Sequence, residues 1–325
     1  MVIIAAAGWD MLWNIFSKPR FRLIPAIILI AAFAGPIQWM FKSHPNQYIY
    51  FNELCGGIKG AYGRFELDYY SNSLKQAADW LSVNIPAREK GYSIVTNNEP
   101  LTSEHFIKKW DTNSKVIWTR EYELFRLPAD YGFFTTRTMT AKQLKSGIWP
   151  PKNTIYSVEI DGVPIVSVVD LRNNYNAIAY SFYDKNQFDS AIYYFDLAIK
   201  DDPGNEESWR MKGLCIIGKD LYDEAKSPIL KSMDLIDDNY MAYDYLGIIY
   251  ANKKQYDSAQ IWFEKAIVHK LNFTGAYYHL GVVHYNKAKY QEAINTINKA
   301  IKWGGEKSDF YLYLGKSYQA LKEYN

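Results

Sequence analysis

The C-terminal half of the sequence repeats itself every 34 residues, and this period restricts the fold more than any other feature. Five series of related residues keep the interval without a slip: Trp209, Tyr243, Tyr277 and Tyr311; Gly213, Gly247, Gly281 and Gly315; Phe188, Tyr222, Tyr256, Tyr290 and Tyr324; Ala191, Ala225, Ala259 and Ala293; Ala198, Ser232, Ala266 and Ala300. Small residues at fixed places predict closely packed helices, with aromatic rings filling the remaining space. Each unit therefore reads as two amphipathic helices joined by a short turn.

The period and the residue types resemble those of tetratricopeptide repeats over about residues 172–325. The resemblance implies an α–α solenoid. We count four full units and a partial fifth that begins at Ser308; the full units are 172–205, 206–239, 240–273 and 274–307. A fifth unit without its second helix leaves an apolar flank open. We expect either an oligomer or a chain that is cut short there, and favour the second.

Solenoids of this type present their first helices on a concave face. The residues predicted to line this groove are rich in tyrosine: Tyr180, Tyr183, Arg210, Asp244, Tyr245, Tyr278, His279, Tyr285 and Tyr313. Such a surface suits an extended peptide or the surface of a partner protein. The alternative is that some of these tyrosines only cover the stack.

Residues 23–41 carry no charge and are long enough, at about 1.5 Å per residue, for a transmembrane helix. Lys18, Arg20 and Arg22 precede them, which predicts a cytoplasmic N-terminal side and extracytoplasmic or periplasmic domains after Lys42. Residues 1–16 are also apolar, and they read either as an interfacial helix or as part of a preceding span. A cleaved signal peptide is the less favoured reading of the run.

Residues 42–171 have neither transmembrane nor repeat character and predict a small mixed α/β domain. A helix follows the capping box at Ser73, and strands are predicted near 92–96 and 116–119, on either side of a short helix at 103–110. A hairpin is predicted over 154–169, because Asp161-Gly162 joins two alternating segments.

The run from His44-Pro45 through Gly56-Gly57 to Phe65-Glu66 and Asp68-Tyr69-Tyr70 resembles the end of certain bacterial membrane glycosyltransferases. These enzymes use polyprenyl-phosphate sugars and are related to protein O-mannosyltransferases. The resemblance covers about 1–170 and implies a final span followed by a periplasmic domain. The family's catalytic acids lie in a first extracytoplasmic loop that this sequence lacks.

Few residues suggest chemistry of their own. Glu66 and Asp68, with His44 nearby, are the weak candidates for acid–base work beside a lipid-phosphate sugar. The favoured role of the two carboxylates is to cap the following helix or to bind backbone amides in a glycine-rich loop. The histidine and cysteine spacings predict no metal site, and no cofactor is expected. A net charge of +2 argues against nucleic-acid binding.

The sequence thus predicts a mainly α protein with one or two transmembrane helices, an α/β domain and a repeat solenoid. We expect an inner-membrane protein that mediates protein–protein interaction outside the cytoplasm, in contact with membrane lipid. The alternative is the C-terminal fragment of a glycosyltransferase with a polyprenyl-phosphate sugar as partner. The chain alone is not expected to be catalytic.

Overall fold

The structure is a computed structural model. It describes residues 23–42, 57–62, 72–120, 122–139, 144, 147, 149–236, 239–304 and 307–324. The predicted apolar segment 1–16 lies outside the described residues, as do the weak acid–base candidates His44, Glu66 and Asp68.

The first described helix, α1, occupies Leu23–Lys42, over the run predicted to span a membrane. Of the helices in the described part of the chain, none combines the length and the apolar character needed to cross a membrane, so the span predicted at 23–41 is not found. The last turn of α1 contacts the hairpin of the α/β domain. The Trp39 Nε1 donates to the Asp161 Oδ2 at 2.7 Å, and Lys42 forms an ion pair with the same carboxylate.

The elements of the α/β domain are α2 at Gly57–Ala61, α3 at Asn72–Asn84, β1 at Ser93–Thr96, α4 at Pro100–Trp110, β2 at Lys115–Trp118, β3 at Tyr131–Thr135, β4 at Thr154–Ile160 and β5 at Val163–Asp170. The strands form one sheet in the order β2-β1-β3-β5-β4. β2, β1 and β3 are parallel, whereas β5 runs antiparallel to both of its neighbours.

Local chemistry explains several of these elements. The predicted hairpin is confirmed: Asp161 and Gly162 adopt positive φ angles of 52° and 74° and connect β4 to β5. The α4 helix begins where the Glu99 carboxylate accepts hydrogen bonds from the backbone N–H groups of Leu101 and Thr102. The strand β3 was not predicted, because its five residues are all buried and show no alternation.

The two faces of the sheet have separate cores. Leu74 and Leu81 of α3 pack against Ile94 and Phe133 on one face. On the other face, Phe134 belongs to a cluster that includes Leu124 from the loop after β2. This loop therefore lies on the side of the sheet that faces the repeats.

The predicted helix pairs are confirmed. The helices are α5 at Tyr175–Tyr183, α6 at Phe188–Asp201, α7 at Glu206–Ile217, α8 at Tyr222–Leu235, α9 at Tyr240–Asn252, α10 at Tyr256–His269, α11 at Thr274–Asn286, α12 at Tyr290–Gly304 and α13 at Ser308–Tyr324. Units one to four are the pairs α5–α6, α7–α8, α9–α10 and α11–α12, and α13 is the first helix of unit five.

The turn inside each full unit is the same. Asn186, Asp220, Lys254 and Ala288, spaced by 34 residues, all adopt left-handed φ angles between 57° and 60°. Each turn closes a helix by N–H to carbonyl bonds with the last turn of the preceding helix. A left-handed residue fixes the angle at which the second helix returns, so the repeat of this conformation produces a regular stack.

Candidate functional site

The first helices of the units line one side of the solenoid. α7 contacts α9, α9 contacts α11, and α11 contacts α13, in addition to the contacts within each pair. This arrangement places the first helices on the inner face, as predicted for a repeat stack of this kind. The predicted groove residues all lie on these helices.

The inner face of units one and two is occupied by the chain itself. Residues 122–127, which follow β2 and are called here the resident segment, lie against α5 and α7. The Tyr122 carbonyl accepts a hydrogen bond from Arg210 Nη2 at 2.9 Å. The Phe125 carbonyl accepts one from Asn174 Nδ2 at 2.8 Å, and the Phe125 N–H contacts Glu207 Oε2 at 3.5 Å. These contacts are to the main chain of the segment.

Side chains add to the attachment of the resident segment. Arg126 forms an ion pair with Asp184 at 3.0 Å, and its guanidinium lies 5.0 Å from the centroid of the Tyr180 ring. Tyr122 meets Tyr240 edge to face, with ring centroids 6.5 Å apart. The segment is thus held both by its backbone and by a cation and an aromatic ring.

Arg210 is the central group of this contact, and it is only 1% exposed. Its Nε is 3.0 Å from Glu206 Oε1, and the same carboxylate accepts a hydrogen bond from Asn239. Burial opposes the charge of Arg210, but Glu206, Tyr245, Tyr180 and Glu207 together outweigh burial, so the pKa of Arg210 is raised. A buried cation paired in this way fixes the geometry of the surface that holds the segment.

The inner face of the later units carries a cluster of tyrosines. The Tyr313 ring packs edge to face against both Tyr278 and Tyr285, at centroid distances of 6.0 and 5.7 Å. All three side chains are half-buried, and the Lys316 ammonium lies 4.8 Å from the Tyr313 ring. We call Tyr278, Tyr285 and Tyr313 the tyrosine cluster.

Between the two halves of the face lies a carboxylate–imidazole pair. Asp244 Oδ1 is 2.8 Å from His279 Nδ1, and the aspartate side chain is buried. Burial lowers the pKa of His279, but the Asp244 carboxylate raises it by more, so the net shift is upward. The pair therefore places a partly exposed cation beside the tyrosine cluster at mildly acidic pH.

The nine predicted groove residues separate into these three groups. Tyr180, Tyr183 and Arg210 lie on the side of the resident segment, and Tyr180 and Arg210 are buried beneath it instead of facing an open groove. Tyr245 is next to Arg210. The sequence reasoning missed Glu207 and the resident segment. The two glutamates at the start of α7 could have pointed to Glu207. The resident segment, by contrast, has no sequence pattern that predicts its position.

Comparisons with known proteins concern the repeats. A family model described as anaphase-promoting complex, cyclosome, subunit 3 matches residues 252–325, less than a quarter of the 325 residues. A crystal structure of MamA is 25% identical and covers 46% of this chain and 81% of its own, with a TM-score of 0.39. MamA 41-end from Desulfovibrio magneticus RS-1 is 19% identical over 46% of this chain and 89% of its own, with a TM-score of 0.40. The APC/C hetero-tetramer Cut9–Hcn1 is 21% identical over 46% of this chain and 30% of its own, with a TM-score of 0.44. No curated protein matches the chain.

The stacked helix pairs, their 34-residue period and their repeated left-handed turn define the C-terminal part as a tetratricopeptide-like solenoid. The family match falls inside this part. None of these comparisons supports the resemblance of residues 1–170 to membrane glycosyltransferases.

Proposed function

We propose that the protein is a protein-interaction scaffold whose solenoid binds an extended peptide segment of a partner along the first helices of units three to five. The observation that carries this proposal is the resident segment. The same inner face already binds a peptide segment of this chain at units one and two, and it does so largely through main-chain atoms.

Main-chain contacts are available to any extended peptide, so the side chains that line the face decide which peptide binds. On units three to five these side chains are the tyrosine cluster and the Asp244–His279 pair. Tyrosine offers a large rigid contact area and a polar tip at a low cost in conformational entropy. This composition favours a partner segment with apolar or proline side chains between polar ones.

The proposal is tested by selecting twelve-residue peptides from a random display library on the intact protein. Selected peptides are then titrated against the double variant Tyr278→Ala/Tyr285→Ala. Because aromatic anchors supply most of the affinity at such sites, we expect a loss of at least about 10-fold, or about 1.4 kcal/mol.

The matched control is Tyr193→Ala, which removes a 60% exposed tyrosine of the second helix α6. Binding is expected to be unchanged in this variant. Equal affinity of the selected peptides for wild type and the double variant would exclude the tyrosine cluster as the binding surface.

The location of the solenoid outside the cytoplasm stays a prediction from the basic residues that precede α1. A Tyr193→Cys variant in which Cys55 and Cys215 are serine provides an exposed thiol for a membrane-impermeant maleimide. Labelling in cells with a permeable outer membrane but an intact inner membrane is expected. Labelling only after lysis of the inner membrane would refute the predicted location.

A further inference from the structure

A cavity lies between the α/β domain and the junction of units one and two, apart from the tyrosine cluster. It has a volume of about 60 Å³, enough for a few water-sized groups, and is partly open to solvent. One wall is apolar and aromatic, formed by Tyr122, Leu124, Phe125, Met139, Trp149 and Ile236. The lining also includes three acidic residues, Asp202, Glu206 and Glu207, which are called the acidic wall. Cavities at domain interfaces with an apolar lining and a few polar groups are characteristic of ligand sites.

When Glu207 is ionised, the buried charges of the acidic wall do not balance. Glu206 is paired with Arg210, which also donates to the Tyr122 carbonyl. Glu207 is only 6% exposed, and its Oε1 has no hydrogen-bond partner. Two buried carboxylates thus face one buried guanidinium, and an unpaired buried carboxylate is costly.

Neutral groups close to Glu207 do not supply the missing charge. The Phe125 N–H is a long 3.5 Å from Oε2. The buried Tyr180 hydroxyl, which makes no well-formed hydrogen bond, is near enough to lower the pKa of Glu207 but carries no charge. The cavity therefore combines an aromatic wall with a carboxyl group that has no cation of its own once it is ionised.

We propose that this cavity binds the ammonium group of an aliphatic amine, with the ammonium at Glu207 and the apolar stem against the aromatic wall. An ammonium group supplies both hydrogen-bond donors and positive charge, and it is attracted to aromatic faces. A divalent metal fits less well, because no three histidine, cysteine or acidic side chains among the described residues are placed so that they could hold a metal ion together. The amine is either a free small molecule or the side chain of a lysine in a partner.

The charge state of Glu207 makes the binding dependent on pH. Burial raises the pKa of Glu207 to about 8, although Arg210 and the Tyr180 hydroxyl lower it; Glu206 and Glu123 raise it further. Asp202 is the remaining acidic group of the lining. The ammonium binds the ionised carboxylate, which rises from about 1% of the population at pH 6 to about half at pH 8. The apparent affinity therefore increases by up to roughly 50-fold between these values.

The test uses the full chain and n-pentylammonium chloride as the probe, titrated calorimetrically at pH 6 and pH 8. We expect binding that tightens with pH and that is at least about 10-fold weaker in Glu207→Gln, because the amide keeps the shape and loses the charge. The matched control is Glu224→Gln, which removes an exposed carboxylate of α8. The neutral isostere 1-pentanol is expected to bind wild type and Glu207→Gln with the same affinity.

A second measurement needs no variant. The carboxyl ¹³C resonance of Glu207 is followed against pH in wild-type protein, and saturating n-pentylammonium is expected to lower the midpoint. A parallel titration with Nα-acetyl-lysine methylamide distinguishes a free small amine from a lysine side chain of a partner. If this probe also binds, the cavity accepts a lysine side chain. Equal binding of the alkylammonium to wild type and Glu207→Gln, or an unchanged Glu207 midpoint, overturns the proposal.

Discussion

At the scale of single residues, glycines at one repeat position have different surroundings. A Cβ atom added to Gly247 would lie 2.4 Å from the ring of Phe263, which is fully buried in the second helix of the same unit. A Cβ atom added to Gly315 would meet nothing within 4 Å. Both positions lie inside helices, so they share the same backbone preference, and only the packing differs.

The first prediction compares alanine at these two positions. Gly247→Ala is expected to destabilise the protein by about 1–3 kcal/mol, because Phe263 has no room to move away. Gly315→Ala is expected to stabilise α13 by up to about 1 kcal/mol through helix propensity alone. Urea denaturation followed by circular dichroism measures both changes. Effects of the same sign and size would show that the two sites are packed alike.

The second prediction concerns the Asp244–His279 pair. Because the pKa of His279 is raised in the folded state, its contribution to stability is fully present below about pH 6.5, the unfolded value. This contribution is lost as the pH rises through the folded pKa. The stability difference between wild type and His279→Gln is therefore expected to be larger at pH 5.5 than at pH 8.5.

Thermal unfolding of the two proteins at several pH values checks this expectation. Titratable groups that both proteins share contribute equally to the two unfolding free energies and cancel when these are subtracted. His284, whose pKa is lowered by burial, is one such group. A difference that grows with pH would contradict the assigned direction.

At the scale of elements, the sequence predicted the helix pairs because their contacts recur. A further series shows the same logic: Lys219, Lys253 and Lys287 pair with Asp189, Asp223 and Asp257, each 30 residues earlier. The spacing of this series in the sequence is as regular as that of the glycines. Exposed ion pairs of this kind contribute little stability individually.

The resident segment was not predictable from the sequence. Its contacts with Glu207 and Arg210 join residues 82 and 88 positions apart, and nothing repeats at these distances. The tyrosines of the predicted groove lie on the first helices of the units, but their separation into covered and half-exposed groups depends on this one segment. Contacts between distant parts of the chain, such as those of the resident segment, leave no periodic pattern in the sequence. The stacking of repeats does leave one.

The third prediction tests how the segment is held. Arg210→Met leaves Glu206 buried without its cation and removes the donor to the Tyr122 carbonyl, so we expect a loss of about 3–5 kcal/mol in stability. Hydrogen exchange in residues 122–127 is expected to increase. The control is Lys212→Met in the same helix, where a partly exposed pair with Asp196 contributes about 0–1 kcal/mol. Unchanged exchange in residues 122–127 of Arg210→Met would mean that other contacts hold the segment.

At the scale of the whole molecule, the solenoid is supported unequally along its length. Units one and two contact the α/β domain through the resident segment and through an ion pair of Lys152 with Asp201. At the other end, α13 packs against α11 and α12. In a repeat stack, the stability of each unit depends on its own contacts and on those with its neighbours.

The last prediction is a gradient of local stability. Backbone hydrogen exchange in the intact chain is expected to be fastest in α13, intermediate in α11 and α12, and slowest in α7 and α8, because local opening follows the density of buried contacts. Mass spectrometry of peptic fragments measures this order. In Arg210→Met, exchange is expected to rise in α5, which contacts the resident segment through Tyr180, and to stay unchanged in α13, as expected if the docked α/β domain stabilises one end only. A single exchange rate for all nine repeat helices would mean that the stack opens as one cooperative unit, and the unequal support seen in the contacts would then have no thermodynamic consequence.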